Sequence, residues 1–278
     1  MKIEMAKSYG FCFGVKRAIK IAESAGEAAT IGELIHNAEE INRLRQNFGV
    51  KTLEGVSEIT DEQKLIIRTH GIQKDDLQRL KAQNKQLIDA TCPFVTKPQQ
   101  IVEKMSAEGY DIVIFGDKNH PEVKGVKSYA KSRVFVIMDT KELQDVKLGA
   151  RVALVSQTTK KIESFTKIAD FLMQRARELR IFNTICNATL ENQEAVKSLS
   201  QKADVMIIVG GKNSSNTKQL FLISQNFCKD SYLIENESEL ERSWFENKRL
   251  CGISAGASTP DWIIKKVVAR IENLTQNL

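Results

Sequence analysis

A chain of 278 residues with 42% hydrophobic and 27% charged residues can bury a substantial core, which excludes an intrinsically disordered protein. Its formal charge of +6 is spread without a run of five basic residues and with few interleaved aromatics, so it reads as a solvated surface and not as a nucleic-acid footprint. No apolar run approaches the roughly 18 residues of a membrane span, and residues 1–8 alternate like a strand with no apolar signal core; the expectation is a cytoplasmic enzyme.

In chain order the first third begins with a strand-like stretch at 2–7, then Gly10-Phe11-Cys12 and helical periodicity over 15–24. A strand at 28–31 leads to His36-Asn37, and another at 64–68 to Thr69-His70-Gly71. The second third repeats the order. A strand at 86–89 precedes Ala90-Thr91-Cys92, helical periodicity covers 98–108, and a strand at 111–115 runs into Asn119-His120-Pro121-Glu122. A further strand at 151–155 ends in Ser156-Gln157-Thr158-Thr159. In the last third a strand at 181–185 precedes Cys186, helical periodicity follows over 190–201, and a strand at 204–209 meets the Gly210–Asn216 loop. A strand at 249–253 closes the pattern with Ser254-Ala255-Gly256-Ala257-Ser258.

Fixed order with drifting spacing is what three related βα units show. The expected fold is therefore α/β, with three similar lobes arranged in pseudo-threefold fashion around one central metal-cluster site. The expected lobes are residues 14–92, residues 93–186, and residues 187–278 together with 1–13. Ligands of parallel α/β sheets gather where the strands' carboxyl ends meet their loops, and every marked loop follows a strand.

The five cysteines are Cys12, Cys92, Cys186, Cys228 and Cys251, an odd number with no CxxC. That excludes a disulfide framework and local zinc-knuckle or thioredoxin readings. Cys228 and Cys251 lie in apolar stretches and read as core. Cys12, Cys92 and Cys186 follow strands beside Gly, Pro or Asn, one in each third. Three thiolates can hold an iron–sulfur cluster with one iron left open, and an open metal can act as a Lewis acid toward a substrate oxygen.

All three histidines of the chain, His36, His70 and His120, fall in the marked loops, where imidazoles can donate to phosphate oxygens. The loop Gly210-Gly211-Lys212-Asn213-Ser214-Ser215-Asn216 has two readings. Glycines and a helix start can cradle an anion, and Ser or Asn can simply cap the helix. His120-Pro121-Glu122 is equally double: Pro and Glu suit a helix start, and Glu122 suits a proton donor.

These segments together resemble the LytB family of 4-hydroxy-3-methylbut-2-enyl diphosphate reductases. The matching stretches run in the family's order from about residue 10 to residue 262. They include Gly10-Phe11-Cys12-Phe13-Gly14-Val15, Gly32-Glu33-Leu34-Ile35-His36-Asn37, Asp89-Ala90-Thr91-Cys92-Pro93, His120-Pro121-Glu122-Val123 and Ile185-Cys186-Asn187-Ala188-Thr189. The resemblance implies a 4Fe-4S cluster held by Cys12, Cys92 and Cys186, with one iron open to substrate. It implies a diphosphate ringed by His36, His70, His120, Ser214, Ser215, Asn216 and Ser258. Glu122 is then the proton source, with Thr158, favoured over Thr159, near the substrate hydroxyl. The implied reaction is reductive dehydroxylation to isopentenyl and dimethylallyl diphosphate, the last step of the non-mevalonate isoprenoid route. Electrons would arrive singly from a ferredoxin or flavodoxin, since no nucleotide-binding GxGxxG is present. Lys97-Pro98 departs from the pattern and puts the start of its helix in doubt. The rival classes are a zinc hydrolase using the same Cys and His residues and an iron–sulfur redox sensor.

Overall fold

The computed structural model describes residues 1–83 and 85–276. In chain order the described elements begin with β1 (Lys2–Met5), α1 (Phe13–Ala25), β2 (Ala28–Ile31), α2 (Ala38–Phe48), β3 (Val50–Leu53), β4 (Lys64–Ile67), α3 (Lys74–Lys81) and β5 (Gln86–Asp89). The middle of the chain supplies α4 (Pro93–Ala107), β6 (Asp111–Phe115), α5 (Pro121–Lys127), β7 (Val134–Ile137), β8 (Arg151–Ser156), α6 (Ile162–Met173) and β9 (Glu178–Ile181). The last part supplies α7 (Asn187–Ser200), β10 (Val205–Val209), α8 (Ser215–Phe227), β11 (Ser231–Ile234), β12 (Leu250–Ala255) and α9 (Asp261–Thr275). No helix among the described residues is long and apolar enough to cross a membrane.

The strands form three four-stranded parallel sheets, ordered β3-β2-β4-β5, β7-β6-β8-β9 and β11-β10-β12-β1. Each order is the same when read from the edge, so the expected α/β class with three similar lobes is what the chain adopts. In each sheet the final edge strand, β5, β9 or β1, is the one that leads into a cysteine.

Two compact units divide the chain. One comprises Met1–Lys16, His36–Asn42 and the chain from Asn187 onward, and holds the β11-β10-β12-β1 sheet. Its β10 is buried throughout, an apolar β-branched run of the kind that parallel sheets covered on both faces require. Val205, Ile207 and Val209 pack on α9 residues Ile263, Val267 and Ile271, while Met206 and Ile208 pack with Val196 and Leu199 of α7 and Leu220 of α8. The other unit, Arg17–Ile35 with Arg43–Cys186, holds the remaining two sheets. One core joins Ile31, Leu65 and Ile67 to Ile72 and Leu80; another joins Ile112, Ile114 and Val155 to Val102 and Met105 of α4 and Val123 of α5.

The repeat is written in hydrogen bonds as well as in strand order. The amides of Gly32, Gly116 and Gly210, each just past the second strand of its sheet, donate to Leu53, Ile137 and Ile234 at the ends of β3, β7 and β11. The cysteine amides repeat a second motif. Cys12 donates to the Ala257 carbonyl at 3.2 Å, Cys92 to Thr69 at 3.0 Å and Cys186 to Thr158 at 3.0 Å.

Two local expectations need correction. The strand before Cys186 is Glu178–Ile181, not 181–185. Ile181 is 48% exposed, and the chain then leaves the sheet edge. The Thr184 hydroxyl replaces the missing ladder, accepting from the Ser156 amide at 2.8 Å and donating to the Ser156 carbonyl at 2.6 Å. We expect Thr184→Val, which keeps the shape and strands both groups, to lower stability by about 1–3 kcal/mol in a denaturant titration; no change would mean that solvent reaches the pair. The second correction concerns α4, which begins at Pro93 and runs through Pro98. Pro98 cannot donate to the Phe94 carbonyl, so the helix runs through this turn with one backbone bond fewer.

Candidate functional site

In the first unit, Cys12 closes a turn in which Gly10, at φ 71°, donates its amide to Ala255. The Cys12 carbonyl accepts the first helical bond of α1, from Lys16 at 2.9 Å. The thiol therefore sits at a helix start, where free amides favour negative charge. The Ser258 hydroxyl donates to the His36 carbonyl at 3.1 Å, joining two of the expected residues. Gly211 lies against the same carbonyl: a Cβ there would stand 2.6 Å from its oxygen, so only glycine permits the approach. Asn37 caps α2, its side-chain oxygen accepting from the Glu40 amide at 3.0 Å.

Both readings of the 210–216 loop have physical content. Ser214 is a true cap, its hydroxyl accepting from the Thr217 amide at 3.3 Å. Asn216 is different. It is 4% exposed, and neither its amide nitrogen nor its carbonyl oxygen has a hydrogen-bond partner among the described residues. The buried Thr217 and Ser254 hydroxyls likewise have no hydrogen-bond partner among the described residues. Buried polar groups left unpaired cost about 1–3 kcal/mol each, and such groups mark a place where a polar ligand completes the network. Ser215 begins α8 beside them, half-buried.

In the second unit, Cys92 caps α4 and Cys186 immediately precedes α7. Arg17 donates to the Asp89 and Thr91 carbonyls at 3.2 Å each, bracing the Cys92 turn. The Cys92 amide meets Thr69, whose hydroxyl donates to Leu34 at 2.8 Å and so fixes the neighbouring His70. The rings of His70 and His120 meet edge to face with centroids 5.4 Å apart. His120 caps α5 through Nδ1, which accepts from the Glu122 amide at 3.2 Å. In the neutral ring the proton then lies on Nε2.

Glu122 is 1% exposed. Its Oε1 accepts from the Thr158 amide and its Oε2 from the Thr158 hydroxyl, both at 2.7 Å. Burial raises its pKa against the opposing effects of the Thr158 hydrogen bonds and the Lys160 charge. A carboxyl group whose proton is held more tightly by burial is suited to store a transferable proton. The Thr159 hydroxyl is engaged elsewhere, accepting from Gln157 Nε2 at 3.1 Å. Because the Thr158 carbonyl holds the Cys186 amide, one residue joins the buried acid to a thiol-bearing turn.

The three half-exposed thiols are chemically distinct from Cys228 and Cys251, which are buried. Burial pushes the Cys251 thiol up to about 12 and raises that of Cys228 as well. A metal ligand must be a thiolate, so neither buried thiol is suited to the task. Each of these three thiols is a soft ligand at a helix start, the donor chemistry that iron–sulfur clusters take.

Sequence reasoning passed over Lys160 and the orphaned Thr217, and gave Gln157 and Ser254 no role beyond membership of their marked loops. The equivalent glycines Gly32, Gly116 and Gly210 were a readable signal, since each marks the turn that delivers a helix cap.

The family model described as LytB protein matches residues 3–272. A protein of Campylobacter hominis named 4-hydroxy-3-methylbut-2-enyl diphosphate reductase is 75% identical over 274 residues, covering 99% of this chain and 100% of that one. One of Campylobacter concisus with the same name is 71% identical, with the same coverage. A solved structure of (E)-4-hydroxy-3-methyl-but-2-enyl diphosphate reductase, the terminal enzyme of the non-mevalonate pathway, is 42% identical with a TM-score of 0.72, covering 98% of this chain and 99% of that one. The structure of the E-1-hydroxy-2-methyl-but-2-enyl-4-diphosphate reductase from Plasmodium falciparum is 27% identical with a TM-score of 0.92, over 99% of this chain and 89% of that one.

Proposed function

This chain belongs to the LytB family, and on that premise we propose that it reduces 4-hydroxy-3-methylbut-2-enyl diphosphate to isopentenyl and dimethylallyl diphosphate in the cytoplasm. The observation that carries the reading is the buried Glu122–Thr158 pair tied to the Cys186 turn. Hydroxide is a poor leaving group, so breaking an allylic C–O bond needs a proton on the departing oxygen and two electrons on the carbon fragment. Cys12, Cys92 and Cys186, one from each of the lobes 14–92, 93–186 and 187–278 with 1–13, hold one 4Fe-4S cluster. When bound, that cluster would supply electrons and Lewis-acid chemistry toward a substrate oxygen.

The protein's own groups do the rest. Protonated Glu122 donates through Oε2 to the Thr158 hydroxyl, whose own proton passes to the leaving oxygen, which departs as water. Two electrons, delivered one at a time by a ferredoxin or flavodoxin, and a second proton at either end of the allyl fragment complete the balance. His36, His70, His120, Ser214, Ser215, Asn216 and Ser258 bind the diphosphate. Micromolar affinity needs about 8 kcal/mol, and hydrogen bonds to a charged group contribute roughly 1.5–3 kcal/mol each, so four to six donors suffice without an Arg fork.

Anaerobic protein with a one-electron reductant should convert the substrate to both products; binding without turnover under a strong reductant would reject the reading. The anion half has its own test. Asn216→Ala should weaken substrate binding by about 1–3 kcal/mol in calorimetry while leaving the visible spectrum unchanged. Unaltered affinity would reduce that loop to a helix cap.

A further inference from the structure

Lys160 has no part in the relay described above, yet its placement needs a physical reason. It follows Gln157-Thr158-Thr159 and is 5% exposed, its backbone turned in by an amide bond to the Gln157 carbonyl at 3.3 Å. Its ammonium lies 3.2 Å from the Met138 sulfur, a weak acceptor, and 5.8 Å from the centroid of the Phe115 ring. Among the described residues no carboxylate stands within ion-pairing distance of it. Burying an ammonium on a thioether and a ring face is costly unless nearby negative charge offsets it.

Lys160 closes the Gln157–Lys160 turn whose Thr158 holds both Glu122 oxygens, so the ammonium and the Glu122 carboxyl act on one another, and Asp117 acts on Lys160 as well. The other elements packed on α5 add little. From α4 the buried neighbours are Gln99, Ser106 and apolar side chains. On α5 itself, His120 turns Nδ1 to the Glu122 amide, and His70 meets the His120 ring.

We propose that Lys160 is a positioning residue of the proton relay: its buried ammonium supports the carboxylate that Glu122 becomes when its proton leaves through Thr158. The O–H bond at Glu122 Oε2 breaks as one forms at Thr158 Oγ1, and the negative charge stays on Glu122 in a site from which water is largely excluded. A cation held nearby without a direct ion pair stabilises that product of proton transfer and leaves both carboxylate oxygens to Thr158. The inference rests on the relay reading given above.

The test uses Lys160→Met, which keeps the length and apolar stem, Lys160→Arg, which keeps the charge, and Glu122→Gln. The infrared carbonyl band of the protonated carboxyl, identified by its loss in Glu122→Gln, is titrated without substrate or reductant. In Lys160→Met the band should persist to higher pH than in the parent protein, and Lys160→Arg should restore the parent midpoint. Turnover of Lys160→Met should fall about tenfold on its acidic plateau, a fraction of what a general acid contributes, with its alkaline limb moved the same way and KM unchanged. An unmoved band, or equal shifts in the Met and Arg variants, overturns the role of the charge. If the band moves but Glu122→Gln turns over normally, the relay reading fails instead, and the proposal with it.

Discussion

Serine at Cys12, Cys92 or Cys186 should bleach the iron–sulfur absorbance and abolish turnover, whereas serine at Cys228 or Cys251 should leave the colour intact. The two groups differ in solvent access and helix position. Cys12, Cys92 and Cys186 are half-exposed at the starts of α1, α4 and α7, where free amides face a ligand's negative charge. Cys251 is 0% exposed in β12, with its thiol pushed up to about 12 by burial; ligation there would require ionising a group the core keeps neutral. Cys228 ends α8, and its thiol points to the Asp230 carbonyl at 3.6 Å. Absorbance, iron content and turnover of the five variants give the answer together. A bleached Cys228→Ser beside a coloured Cys92→Ser would overturn the ligand assignment. Tightly bound zinc with no visible band in the anaerobic parent protein would favour a hydrolase.

What the sequence shows of this fold follows from where burial is complete. The strands at 28–31 and 111–115 are readable to the residue, and β2 and β6 are buried throughout, with Thr30 and Asp111 the polar exceptions in their apolar runs. The edge strands β3, β7 and β11 escape the same reading because solvent reaches part of each and dilutes the apolar signal. Helix starts after the cysteines are placed too late, at 15, 98 and 190 instead of 13, 93 and 187, because Cys is not a residue that announces a cap. The candidate site is more legible than the fold boundaries: loop residues of unusual type, repeated in order, do not depend on periodicity. Partner choice is not legible. Nothing local says that both oxygens of Glu122 reach Thr158, thirty-six residues away, or that Lys160 is buried.

Glu122→Gln should give a folded, coloured protein that binds substrate and turns it over roughly 10²–10⁴-fold more slowly, the usual contribution of a positioned general acid. Gln keeps an oxygen for the Thr158 amide, but its amide nitrogen now donates to the Thr158 hydroxyl, where the native ionised carboxylate accepts from it. The geometry survives while the transferable proton is lost. Stability should change little. Losing negative charge in the first turn of α5 costs about 0.3–1 kcal/mol, and the variant no longer buries a carboxylate. The linkage sign follows from the raised pKa: the folded protein holds this proton more tightly than the unfolded chain, so the contribution to stability is complete below the ordinary carboxylate range and is lost as pH rises through the folded value. Turnover has the same direction, because the acid form is the active one. The parent protein should therefore lose activity on an alkaline limb set by Glu122, and Glu122→Gln should show a low rate without that limb. Near-native turnover by Glu122→Gln under a strong artificial reductant would return Glu122 to the role of a helix-start residue.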